Sequence, residues 1–209
     1  MKGIDVSYAQ GKIDWASVKA AGVDFVMIKA SQGRLVRDAD SGPFRDPRFE
    51  ENIVGAHRAG LQIGVYHYLT ARDLGEALEE AAYFLSVITP HRDKITLWAA
   101  CDAEEDRYLP KSRTALTNTV HGFLRKVAAG GFAPMLYSNP NYLKYRLGDV
   151  SGYPLWLAYW GTTEARALAY APKIWQYGTA YTAGVRTRVD QNRGYFTLPA
   201  EKRENGRKG

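Results

Sequence analysis

Two carboxylates, Asp102 and Glu104, close the run Leu97-Trp98-Ala99-Ala100-Cys101-Asp102-Ala103-Glu104-Glu105. Alternate residues of a β-strand project to one face, so the i, i+2 spacing sends both acids to the same side. Two strand steps span roughly 7 Å, about the spacing at which paired carboxylates flank a glycosidic bond. Two acids at the end of a buried strand are costly unless they do chemistry or hold a cation. A solvated acidic loop is the competing reading, because Glu105 and Asp106 follow at once. This fragment alone leaves both open.

Two more acids fit the same site. Asp5 lies in Gly3-Ile4-Asp5-Val6-Ser7, which reads as the first strand, and Asp190 in Val189-Asp190-Gln191-Asn192, which reads as the last. In a closed barrel those strands are neighbours, so Asp5 and Asp190 would meet across the seam and face Asp102 and Glu104. Trp156, Trp160 and Trp175 fall near the same end; each is either core packing or a sugar platform. His67 sits between Tyr66 and Tyr68 and should point away from them, while His57, His91 and His121 read as surface or packing residues. The lone Cys101 falls between same-face positions and should turn into packing, away from Asp102. The His and Cys residues lack transition-metal ligand spacing.

The elements that must position these groups alternate for most of the chain. Strands are predicted over residues 3–8, 25–30, 62–69, 96–104 and 134–138. Helices are predicted over 15–21, from Asp46-Pro47 to Gly60, and over 74–87, 112–129 and 139–147. Asp14 is the expected N-cap of the first helix, and Asp46-Pro47 reads as a carboxylate cap followed by a first-turn proline. Residues 31–45 read as a polar loop. Three further strands, 155–160, 173–177 and 186–190, are joined by loops. Five βα units followed by three β-strands predict an α/β barrel, with chemistry at the C-terminal strand ends. Residues 1–199 read as one catalytic domain and 200–209 as a disordered charged tail.

Composition bounds the function. The 209 residues are 45% hydrophobic and 24% charged, which is ordinary for one globular domain. A formal net charge of +6 favours anionic partners such as a cell wall. The basic residues are dispersed and no nucleic-acid motif is present, so nucleic acid is not an expected partner. One cysteine excludes an intrachain disulfide. The start Met1-Lys2-Gly3-Ile4-Asp5 lacks the apolar run of a signal peptide, and no stretch is long enough for membrane insertion. Synthesis in the cytoplasm is the expectation.

The order and spacing of several segments resemble the family 25 glycoside hydrolases, the Ch-type lysozymes. The segments are Gly3 to Gly11, Asp46-Pro47-Arg48-Phe49 with Asn52, Gly64-Val65-Tyr66-His67-Tyr68, Asp102-Ala103-Glu104 and Leu136-Tyr137-Ser138-Asn139. Leu155-Trp156-Leu157-Ala158, Trp175-Gln176-Tyr177 and Asp190-Gln191-Asn192 complete the set. The chain departs from the family pattern at Tyr8-Ala9, where His-Trp is usual, at Ser31-Gln32-Gly33, where Thr-Glu-Gly is usual, and in the Ala-Ala-Cys before Asp102. The resemblance implies a flattened TIM-like barrel; separately, no cofactor is expected, and a monomer is the expectation. The implied reaction is hydrolysis of the β-1,4 bond between N-acetylmuramic acid and N-acetylglucosamine in peptidoglycan. It implies Glu104 as general acid, and Asp102 as orienter of a substrate acetamido group that serves as nucleophile, with retention. Asp5 and Asp190 would organise charge around the pair, and Tyr66, Tyr137, Trp156, Trp175, Gln176 and Asn192 would bind substrate. Chitinase-type barrels also end a strand in Asp-x-Glu, but would place acids where Leu97 and Ala100 stand.

Two rival functions differ in kind. A sugar-binding barrel without turnover would bind walls and not clear them. A divalent-metal hydrolase would use the four acids as ligands and lose activity in EDTA. A phage endolysin, accumulating in the cytoplasm until released to the host wall, is the setting suggested by the missing leader.

Overall fold

The computed structural model describes residues 1–34 and 42–197. The tail expected over 200–209 lies outside the described residues. Eight strands close into a barrel: β1 (Lys2–Val6), β2 (Phe25–Gln32), β4 (Gln62–Tyr68), β5 (Ala99–Asp102), β6 (Pro134–Ser138), β7 (Leu155–Ala158), β8 (Ile174–Tyr181) and β9 (Arg188–Gly194). A two-residue strand, β3 (Phe44–Arg45), pairs antiparallel with the end of β2. Neighbours from β1 through β8 are parallel. β9 runs antiparallel to both β8 and β1 and closes the ring.

Helices α1 (Trp15–Ala20), α2 (Phe49–Arg58), α3 (Leu74–Ile88) and α4 (Arg113–Ala129) follow β1, β3, β4 and β5. A short π-turn, Tyr142–Arg146, follows β6. Side chains on the outer strand faces, among them Ile4, Val26, Ile28, Ile63, Val65 and Cys101, pack with the apolar faces of the helices. The inner faces supply a smaller core of Phe25, Met27, Ala100, Met135, Trp156 and Ile174. Gly3 and Gly64 make room for it, since a Cβ there would fall 2.2 Å from the Phe25 ring and 2.4 Å from the Met27 sulfur. Among the described residues no helix is long and apolar enough to cross a membrane.

The fold class is the one the element pattern predicts, with local differences. A five-residue helix, α5 (Glu164–Leu168), interrupts the connection between β7 and β8, capped by Thr163. Asp14 caps α1 by accepting from the Ser17 amide. Asp46 does not cap α2: its N-cap is Arg48, and Asp46 accepts from the amides of Arg48 and Tyr8, both at 2.9 Å. The carboxylate therefore ties the turn after β1 to the entry of α2. β5 is shorter than expected, ending at Asp102, so Glu104 lies just past the ladder. Alternation nevertheless persists, because Ala103 donates to Tyr137 O at 3.1 Å and packs outward.

Candidate active site

All four acids come together at the C-terminal end of the parallel strands. Asp5, Asp102, Glu104 and Asp190 line one cavity of about 190 Å³, with Lys29, Tyr66, Tyr137, Trp156 and Gln176 in its walls. Glu104, Tyr137, Gln176 and Asp190 also line an adjoining open groove of about 420 Å³, bounded by Ala158 and Trp160. Glu104 thus stands on the boundary between a polar pocket and a more open groove.

The pocket holds its acids differently. Asp5 and Asp190 are register partners across β1 and β9. Asp5 Oδ2 accepts from Gln176 Nε2 at 3.0 Å and Asn192 Nδ2 at 2.7 Å. Those amides are themselves oriented. Gln176 Oε1 accepts from Tyr137 Oη (3.2 Å) and Trp160 Nε1 (2.9 Å), and Asn192 Oδ1 accepts from Trp156 Nε1 (2.8 Å). Burial, then the Asp190 charge, raises the Asp5 pKa to about 7, against the opposing amide hydrogen bonds. Asp102 is buried, and its Oδ1 has no hydrogen-bond partner among the described residues. Burial and then Glu104 push the Asp102 pKa well up, with Lys29 opposing.

Glu104 is also raised, by burial first, then by Asp190 and Glu105, with Tyr137 and Lys29 pulling the other way. Asp190 is raised by burial. Neighbouring acids whose charges repel one another hold protons above the ordinary carboxylate range, which is what a general acid near neutral pH needs. Tyr66 and Tyr137 are raised well above the usual phenol value by burial, so their hydroxyls remain donors. Glu105, the next acid along, is drawn to the rim by the Tyr68 hydroxyl at 2.9 Å.

The substrate-binding expectations divide. Tyr66, Tyr137, Trp156 and Gln176 line the cavity. Trp156 is its buried floor, with its ring edge-on to Tyr66 and Tyr137. Asn192 lies behind Asp5 and acts through it. Trp175 is not brought to the pocket. Flanked by inward-facing Ile174 and Gln176, it turns to the outer face, packs with Leu157 and Ala167, and donates to Tyr159 O. Trp160, for which the sequence allows both core packing and a sugar platform, is 48% exposed and flanks the groove beside Glu104. His67 turns outward between Ser31 (2.8 Å) and Glu80 (2.9 Å), both buried.

Lys29, Tyr68 and Ser7 also line the cavity and were not anticipated. A lysine within the apolar run Phe25–Ala30 was the available signal for the first. Among the described residues no three His, Cys, Asp or Glu side chains are arranged to hold a metal ion.

A family model of the glycosyl hydrolases family 25 matches residues 4–185. The chain is 33% identical over 165 residues to an autolytic lysozyme of Clostridium acetobutylicum, covering 78% of this chain and 46% of that protein. It is 30% identical over 206 residues to Lysozyme M1 of Streptomyces globisporus, covering 92% of this chain and 67% of the relative. Among solved structures it is similar to a bacterial lysozyme from Streptomyces coelicolor, with a TM-score of 0.75 and 26% identity over 94% of this chain and 93% of that one. The aligned region is thus less than half the length of the clostridial relative.

Proposed function

The chain belongs to glycosyl hydrolases family 25, and from that premise we propose that it is a muramidase, cutting the β-1,4 bond between N-acetylmuramic acid and N-acetylglucosamine in peptidoglycan. The observation that carries the reading is the position of Glu104, between a pocket holding three other acids and an open groove flanked by Trp160. A glycan strand lying in the groove brings its scissile oxygen to Glu104 and one sugar's acetamido group into the pocket.

Protonated Glu104 gives its proton to the glycosidic oxygen as the bond from that oxygen to C1 breaks. The carbonyl oxygen of the substrate's own acetamido group closes on C1, forming a cyclic oxazolinium ion. The acetamido N–H then needs an acceptor, and the unpartnered Oδ1 of Asp102 supplies one. With the proton of the pair held by Glu104 and Lys29 opposing the upward push, Asp102 is the carboxylate that stabilises the positive charge developing on the ring. Glu104, now a carboxylate, takes a proton from water as that water opens the ring, so C1 keeps its configuration. The buried hydroxyls of Tyr66 and Tyr137 are donors for the same acetamido group. Asp5 is fixed by two amides and organises hydrogen bonds behind the reacting groups. Peptidoglycan is the partner, and the net charge of +6 favours retention on an anionic wall. Action at the wall after synthesis in the cytoplasm, as a monomer, completes the reading.

Mass spectrometry of peptidoglycan digested by the native chain tests this. Fragments ending in reducing muramic acid, absent with Glu104→Gln, are expected. Reducing glucosamine ends, freed peptides, or wall binding without cleavage would reject it.

A further inference from the structure

The acids of the pocket share one cation among the described residues that line it, Lys29 on β2. Lys29 reaches the pocket by regular alternation from the inward-facing Phe25 and Met27, and β2 becomes irregular just after it. β2 pairs with β4 in register from Phe25 to Lys29, and pairing resumes at Ser31 opposite His67, leaving Ala30 as an extra residue. Ala30 and Ser31 both lie on the outer side, Ala30 in the outer core and Ser31 against the outward-turned His67. Strict alternation would send Ser31 inward after Lys29. The bulge switches the parity and returns Gln32 to the inner face, three residues after Lys29.

The two side chains then meet: Lys29 Nζ donates to Gln32 Oε1 at 2.6 Å. The amide is held in that orientation, because Gln32 Nε2 donates to the carbonyl of Arg34 at 3.0 Å. The direct partner of the ammonium is therefore neutral. The Tyr68 ring lies 5.0 Å from the ammonium. The acids facing it are Asp102 at the end of β5, Glu104 just past it and Asp46 before α2. Asp5, Asp190 and the Tyr66 hydroxyl complete the pocket, and His67 lies behind on the outer face.

We propose that Gln32 is a positioning residue for the reaction: its neutral amide fixes Lys29 at the pocket while leaving the ammonium charge to Asp102 and Glu104, and so sets the pH range in which those acids work. The proposal rests on the muramidase reading. A glutamate of the same shape would accept the same hydrogen bond but compensate the lysine. The acids would then lose the cation that favours their ionised forms, and would take up protons at higher pH.

Two variants and two readouts decide it. The readouts are the pH profile of kcat/KM for wall clearing, and the NMR titration of the Lys29 side chain labelled at Cε. In Gln32→Glu both limbs of the profile are expected to rise by about half to one pH unit, the size of one added charge roughly 10 Å away. The Lys29 titration should move upward with them. Gln32→Met, neutral but without the acceptor, should lower kcat several-fold and should not raise the limbs. Limbs and lysine titration unmoved in folded Gln32→Glu, or limbs raised as far in Gln32→Met as in Gln32→Glu, would overturn the proposal. A native chain that clears no wall overturns the muramidase reading instead. The lysine titration needs no turnover and still reports whether residue 32 governs the charge at Lys29.

Discussion

Asp5 and Asp190 face each other as register partners across the antiparallel seam, yet among the described residues only Asp5 is anchored, by the amides of Gln176 and Asn192. The anchored acid is buried behind the pocket, whereas Asp190 is partly exposed and also lines the groove beside Glu104. After burial, Asp190 is the largest contributor to the raised pKa of Glu104.

Asp190→Asn should therefore move the alkaline limb of the activity profile. Glu104 must be protonated to act, and loss of a neighbouring negative charge lowers its pKa. The limb should fall by about half to one pH unit, with activity at pH 5 less affected than at pH 7. Wall clearing across pH 4–9 checks this; an unmoved or rising limb contradicts it.

Asp5→Asn should stabilise the fold while impairing turnover. The folded pKa of Asp5, about 7, lies above its ordinary value of 3.8, so the native state binds more protons than the unfolded one between those values. Stability from this group is fully present below the lower value and is lost as pH rises to the upper one. Asparagine can accept from the same two amides without a charge. A gain on the order of 1–3 kcal/mol is expected at pH 7.5 and close to none at pH 4, by urea unfolding at both.

The two tryptophans near the strand ends should separate by kinetics. Trp160→Ala removes a half-exposed ring flanking the groove, and KM should rise about 5- to 30-fold, the loss of one ring–sugar contact. Trp175→Phe removes an indole N–H from Tyr159 O on the outer face. Its melting temperature should fall and KM should stay within twofold.

Gly33→Ala should weaken the rim after β2. A Cβ there would stand 2.2 Å from both Glu80 Oε1 and Thr70 Oγ1. Glu80 accepts from His67, from the Thr70 amide and from the Thr70 hydroxyl, so displacing it breaks several buried hydrogen bonds together. A loss of about 2–4 kcal/mol is expected, with a melting temperature lower by roughly 5–15 °C.

The acids were legible because two simple rules govern them. The period of two put Asp102 and Glu104 on one face, and barrel closure put Asp5 beside Asp190. The same period was enough to turn Trp175 outward once Gln176 was placed inward, and it shows why the ring could not serve the pocket. Lys29 obeys the same period from Phe25 and Met27, but Gln32 could not be read this way. The extra residue at Ala30 breaks the alternation, and nothing in the composition of β2 marks a bulge. Helix α5 spans too few residues to leave a periodic signal. β3 became a strand only because the end of β2 offered it an edge.

The strand pair that completes the ring joins residues almost the whole chain apart, Lys2 with Arg193 and Asp5 with Asp190. A nascent chain can assemble the parallel strands in the order of synthesis, but Asp5 meets Asn192 only once β9 has left the ribosome. Contacts of such long sequence separation form slowly, because the loop must close before they stabilise anything. Truncations before Asp190 should therefore yield an open sheet whose edges are unpaired and whose chemistry is absent, however much of the helical layer has formed.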